Sequence, residues 1–323
     1  MLGALVIYAL TGGADFGGGV WDLLATGPRA RAQRRLIESA LGPIWEANHV
    51  WLILVVVILF TAFPLAFSAA TTALHIPLTA LLVGIVLRGS AFVFRAYGSH
   101  TDDAQRSWGR VFAVASVASP VFLGVTLGAV SSGALRVGAD GVPTCGFFDA
   151  WLAPFPFAVG FFALSLFAFL AAVYLANETD DADLQADFRA RALWAGGVVA
   201  LAAVMALVLW PSDATRSMGA LLRDSSWAIA VVVAACVSGA GAVWALTRGR
   251  FQWARGFAAL EVALVLVGWG LTQQPFLIAP DVSIARAAAP PDTLKWVLIA
   301  LATGTVVLVP SFVWLFRVFK SKR

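Results

Sequence analysis

Charge is scarce in this 323-residue chain: only 12% of its residues are Asp, Glu, Lys or Arg, against about 25% in a soluble domain. Histidine is scarcer still. His49, His75 and His100 are the full set, and the cysteines number two, Cys145 and Cys236. So few ligands leave little room for an autonomous metal or haem centre. The cysteines lie far apart, one in an expected loop and one in an apolar run, which argues against a disulfide between them. A net charge of +4 is too small to point to nucleic acid. What the chain has in quantity is apolar: 60% hydrophobic residues and a mean hydropathy of +0.86. A soluble fold could not hide that surface, so the chain reads as a polytopic membrane protein.

A helix needs about 20 apolar residues to cross the hydrocarbon core. Nine runs qualify as candidate spans: 1–20, 49–70, 75–97, 111–130, 155–176, 191–210, 226–246, 254–273 and 294–317. The first is the weakest, because TGGADFGGG follows Leu10, yet it lacks the charged head and cleavage site of a signal peptide. With the loop after the first span placed inside, the inside segments hold 16 Arg and Lys and the outside segments 4 (Arg136, Arg216, Arg223 and Arg286). The positive-inside rule then puts the N-terminus outside and the C-terminus in the cytoplasm. The loops are too short for a folded domain, and the acidic patch Glu178 to Asp187 reads as a solvated inside loop. The expectation is an all-α transmembrane bundle forming one integral membrane domain over residues 1–323.

Ionisable groups at membrane depth are costly unless paired, wetted or useful. The candidates are Asp15, Glu46, His49, His75, Arg88, Arg95 and Glu261. Residues seven apart share a helix face, which groups Asp15 with Asp22 and Arg88 with Arg95. A mid-span guanidinium calls for a carboxylate, and Asp15 or Glu46 could supply it to Arg88 in a structural ion pair. The glycines around Asp15 suit close helix packing or an unwound helix end. Glu46 and His49 have the Glu-x-x-His spacing of a di-iron bundle, but such a site needs that motif twice plus two more glutamates, which the chain lacks. Glu46, at the mouth of the second span, reads either as a buried partner of Arg88 or as a proton relay.

Three motifs stand in order: ADFGGGVWDLL (14–24), GPIWEANHVWLI (42–53) and RGSAFVFR (88–95). Together with QPFLIAPDVSIARAAAPPDTLKW (274–296), they resemble subunit II of the cytochrome bd-type quinol oxidases, including the cyanide-insensitive branch, over nearly the whole chain. The resemblance implies a haem-free bundle in the bacterial cytoplasmic membrane, paired as a heterodimer with a subunit I that carries haems b and d. The complex would oxidise quinol, reduce dioxygen to water and draw protons from the cytoplasm. By the same resemblance, Glu46 and Asp15 match acidic positions of the family, Glu46 lying on a proposed proton path where many members have Asp. Trp45 and Trp51 match tryptophans of the same motif, one of them near a proposed oxygen route, and Arg88 matches the third-helix arginine. The resemblance leaves room for a small single-span third subunit and for a quinone or lipid as structural ligand. The alternative from another class is an ion- or proton-coupled secondary transporter using Asp15, Glu46 and Arg88. A third is a scaffold in which Glu46 is dispensable.

Overall fold

The computed structural model describes residues 1–41, 45–97, 102–211 and 225–320. Arg216, Arg223 and His100, used above, lie outside these, as does the side chain of Trp45. The described residues form helices α1 (Leu2–Leu23), α2 (Ala30–Leu41), α3 (Trp45–Ala62), α4 (Pro64–Ala73), α5 (His75–Tyr97), α6 (Asp102–Ser131), α7 (Pro154–Glu178), α8 (Ala182–Val208), α9 (Ser226–Thr247) and α10 (Phe251–Gln273). A short hairpin follows, β1 (Phe276–Ile278) antiparallel to β2 (Val282–Ser283), then α11 (Ile284–Ala287) and α12 (Pro291–Lys320).

Seven of these helices are long and apolar enough to cross a membrane, or eight if α3 and α4 together make one span. The chain is thus a polytopic membrane protein. Two expected spans take a different form. The run 49–70 is not one straight helix: α3 and α4 meet at 117°. Pro64 has no N–H to donate and forces the residue before it out of the α region, and Phe63 sits at φ −137°, ψ 58°. The run 1–20 does form a helix, but its glycines and Asp15 keep it outside the seven. The acidic patch also differs from a free loop. Asp181 caps α8 by accepting from the backbone N–H groups of Asp183 and Leu184, and Asp187, already helical, accepts from Arg29 Nε at 2.9 Å and Gln33 Nε2 at 2.7 Å.

The packing centres on α7, which touches α1, α6, α8 and α10. α1 lies against it with its glycine face. A side chain at Gly13 would strike the ring of Phe167, and one at Gly17 the carbonyl oxygen of the same residue. Small residues are what let membrane helices approach this closely, since lipid offers no hydrophobic drive between them. Trp21 fixes the contact by donating its Nε1–H to the Ala168 carbonyl at 2.7 Å. The result is a glycine-rich helix buried along most of its length, with Tyr8 and Phe16 fully enclosed. α5 packs on α6, α9 on α10, and α12 leans on α3.

Candidate functional site

On α1, Tyr8, Asp15 and Asp22 recur every seven residues and so share one face. That face looks toward α3, α5 and α6. Asp15 (3% exposed), Asn48 of α3 (1%) and Arg88 of α5 (3%) meet there. Asn48 Nδ2 donates to Asp15 Oδ2 at 2.6 Å. Arg88 Nη2 donates to the backbone carbonyl of Asp15 at 2.8 Å, and its Nε to Ser116 Oγ of α6 at 3.2 Å. The guanidinium also lies over the rings of Phe16 and Phe112, 5.0 and 5.2 Å from their centroids, where a cation gains from the ring quadrupoles. Two turns from Asp15, the Tyr8 hydroxyl is 3.4 Å from His49 Nδ1, and the His49 ring packs against Tyr8 and Phe16.

A second rung lies seven residues along. Arg95 Nη1 is 3.1 Å from Asp22 Oδ2, and Arg34 Nε is 3.9 Å from Asp22 Oδ1. Arg34 also donates to the Ala25 carbonyl at 3.1 Å, closing the end of α1.

Glu46 stands apart from this buried set. Successive residues of a helix turn by about 100°, so Glu46 and Asn48 face nearly opposite sides of α3. Asn48 points inward and Glu46 outward, exposed in a surface groove lined by Ile85, Val86, Gly89, Ser90, Val93 and Phe94 of α5. Arg88 is turned away, toward Asp15 and Ser116, so Glu46 is not its buried partner. Trp51, one α-helical turn into the span, rests its ring on Phe312 of α12 at 5.4 Å between centroids. His75 caps the preceding turn, its Nδ1 2.9 Å from the Thr72 carbonyl. Glu261 is on a different helix pair, against Gly239 of α9. Among the described residues no three His, Cys, Asp or Glu side chains converge as metal ligands. The arrangement is one of hydrogen-bonded carboxylate, amide and guanidinium, equipped to hold charge and to hand on protons.

At the far end from the Asp22 rung, the loop after α6 is bolted to the β1–β2 turn. Arg136 grips Asp281 with Nε to Oδ2 at 2.8 Å and Nη2 to Oδ1 at 3.1 Å, and the Val137 N–H adds a third bond at 2.9 Å. These donors, the Arg136 side chain foremost, hold the Asp281 carboxyl below the usual aspartate range.

The sequence singled out Asp15, Arg88 and Arg95, and the structure gives each of them partners. It passed over the contact of Asn48 with Asp15 and the part of Ser116. The signal for Asn48 was available in the helical wheel, which sets it opposite Glu46.

Comparison with known proteins places this geometry in context. The family described as cytochrome bd terminal oxidase subunit II matches residues 1–319. The "Putative cytochrome bd menaquinol oxidase subunit II" of Bacillus subtilis (strain 168) is 25% identical, over 99% of this chain and 94% of that one. The "Cytochrome bd ubiquinol oxidase subunit 2" of the same organism is 24% identical, over 90% of this chain and 85% of that one. Among solved structures, a chain of the bd oxidase from Geobacillus thermodenitrificans superposes with a TM-score of 0.80 at 21% identity, covering 100% of this chain and 97% of that chain, which is a likeness of fold.

Proposed function

Because this chain belongs to the cytochrome bd terminal oxidase subunit II family, we propose that it is the haem-free subunit of a quinol:oxygen oxidoreductase in the bacterial cytoplasmic membrane, one integral membrane domain with its N-terminus outside. It pairs with a haem-bearing subunit I, which oxidises quinol and reduces dioxygen to water. The scarcity of histidine supports the haem-free reading: the chain has three, and His49 is packed between Tyr8 and Phe16. In this reading the haems of the complex are carried by the partner.

In this reading the chain contributes proton access. Glu46, exposed at the cytoplasmic mouth of α3, takes up the proton, and Asp15 receives it inside the bundle. The observation that carries the reading is the 2.6 Å bond between Asn48 and Asp15, which places a carboxylate on the buried side of the helix whose outer side bears Glu46. Arg88 offsets the charge that Asp15 would otherwise bring into a low-dielectric interior. Trp51, resting on α12, lines the apolar route for oxygen. Membership of this family removes the ground for the secondary-transporter alternative.

The test is Glu46→Gln in the assembled complex. With normal haem content, the variant is expected to lose quinol oxidation and proton uptake together. Unchanged turnover and uptake in an intact complex would leave only the scaffold role.

A further inference from the structure

The relay reading of Glu46 and Asp15 leaves a gap, and Asn48 sits in it. The inference drawn here rests on that reading. The two polar atoms of the Asn48 side chain are in different situations. Nδ2 donates to Asp15 Oδ2 at 2.6 Å. Oδ1 is enclosed and has no hydrogen-bond donor among the described residues, in a side chain that is 1% exposed. Turning the amide over would set Oδ1 against the Asp15 carboxylate, so the hydrogen bond itself fixes which atom is left over. Buried polar atoms in folded proteins are almost always satisfied, by protein or by ordered water.

Glu46 is not the missing donor, since it leaves α3 on the opposite side. Arg88 is committed to the Asp15 carbonyl and Ser116, and the Tyr8 hydroxyl is directed at His49. These are the ionisable groups around the amide, with Ser116 the uncharged contribution of α6. A donor for this polar, enclosed space must be small, and water meets that condition.

We propose that Asn48 is the positioning residue of the proton path: Nδ2 holds the Asp15 carboxylate while Oδ1 anchors a water beside it. In the transfer, an O–H bond breaks at the Glu46 carboxyl and the proton is handed from water to water around α3, one O–H bond breaking as the next forms, to the water held by Oδ1. The water gives one of its own to Asp15, where a new O–H bond forms. The water is regenerated, and the amide changes neither charge nor protonation. Asn48 orients and Asp15 and Glu46 exchange, which is why an amide and not a third carboxylate stands beside Asp15.

The experiment uses the complete complex with its haem partner and compares Asn48→Leu, Asn48→Ser and Glu46→Gln. Leucine fills the space and offers no acceptor. Its turnover is expected to fall at least about tenfold, with a larger solvent deuterium isotope effect, because proton delivery becomes limiting. Serine leaves room for water and an acceptor oxygen, and its turnover is expected within about threefold of the parent, as suits one rearranged hydrogen bond. Normal turnover in the leucine variant, or a slow one with the parental isotope effect, overturns the proposal. If the leucine variant does not assemble, the serine variant decides: a near-parental rate upholds the proposal and a tenfold loss overturns it. Loss in Glu46→Gln with no loss in Asn48→Leu rejects Asn48 but keeps the relay, whereas normal turnover in Glu46→Gln rejects both.

Discussion

Arg95 and Asp22 form an ion pair, Nη1 to Oδ2 at 3.1 Å, across 73 residues of sequence. Arg88 and Asp15 are separated by the same 73 residues and meet through the Asp15 backbone carbonyl. Equal separations on both rungs mean that α1 and α5 run in the same direction, in register, with rungs about 10.5 Å apart. The arginines are long enough to bridge two helices that otherwise touch little.

Removing one member of such a pair strands the other in a poorly solvated site. Asp22→Asn is expected to cost about 3 kcal/mol and to lower the temperature at which the detergent-solubilised complex unfolds. Removing both charges, Asp22→Leu with Arg95→Leu, is expected to recover most of that loss. A double variant that is no better than the single would show that the pair does more than neutralise itself.

Gly17 faces the Phe167 carbonyl of α7 at a distance no Cβ can share. The obstacle is backbone, so it cannot rotate away, and Gly17→Ala must separate α1 from α7. Overpacking of this kind costs about 1–3 kcal/mol. Thermal melts of the variant complex check it, with Gly3→Ala, where the added methyl meets nothing within 4 Å, as the control.

The Arg136–Asp281 clamp carries a pH signature. Asp281 titrates lower folded than unfolded because Arg136 and the Val137 N–H stabilise its charged form. Its contribution is therefore complete above the unfolded value, about 3.9, and fades as the pH falls through the lower folded value. Digestion with an acid-tolerant protease is expected to spare the loops 132–153 and 274–290 at pH 5 and to open them at lower pH. In Asp281→Asn the loops should be cut at every pH, with the dependence gone.

Most of the helices could be read from hydropathy alone, because a span is a long apolar run and little else. Where that reading missed, a competing term was at work. The 49–70 run is continuous in hydropathy, and it is the backbone of Pro64 that bends it. The 1–20 run is poor in hydropathy, and it is the glycine face against Phe167 that keeps it in the bundle. The site was legible as a set of charges but not as a set of contacts. Seven-residue spacing grouped Asp15 with Asp22 and Arg88 with Arg95, yet spacing on one helix says nothing of which atom on another it will meet. Arg88 chose a carbonyl and a hydroxyl, and the carboxylate of Asp15 went to an amide whose neutral side chain drew less attention than the glutamate two residues before it.

The 73-residue interval also has a meaning in time. A ribosome adding about 5–20 residues per second needs about 4 to 15 s to pass from Asp15 to Arg88. Throughout that interval α1 has been made, with two carboxylates and a run of glycines, and neither arginine exists. The helix that ends at the centre of the bundle therefore gains its full set of polar contacts only after α5 has been made.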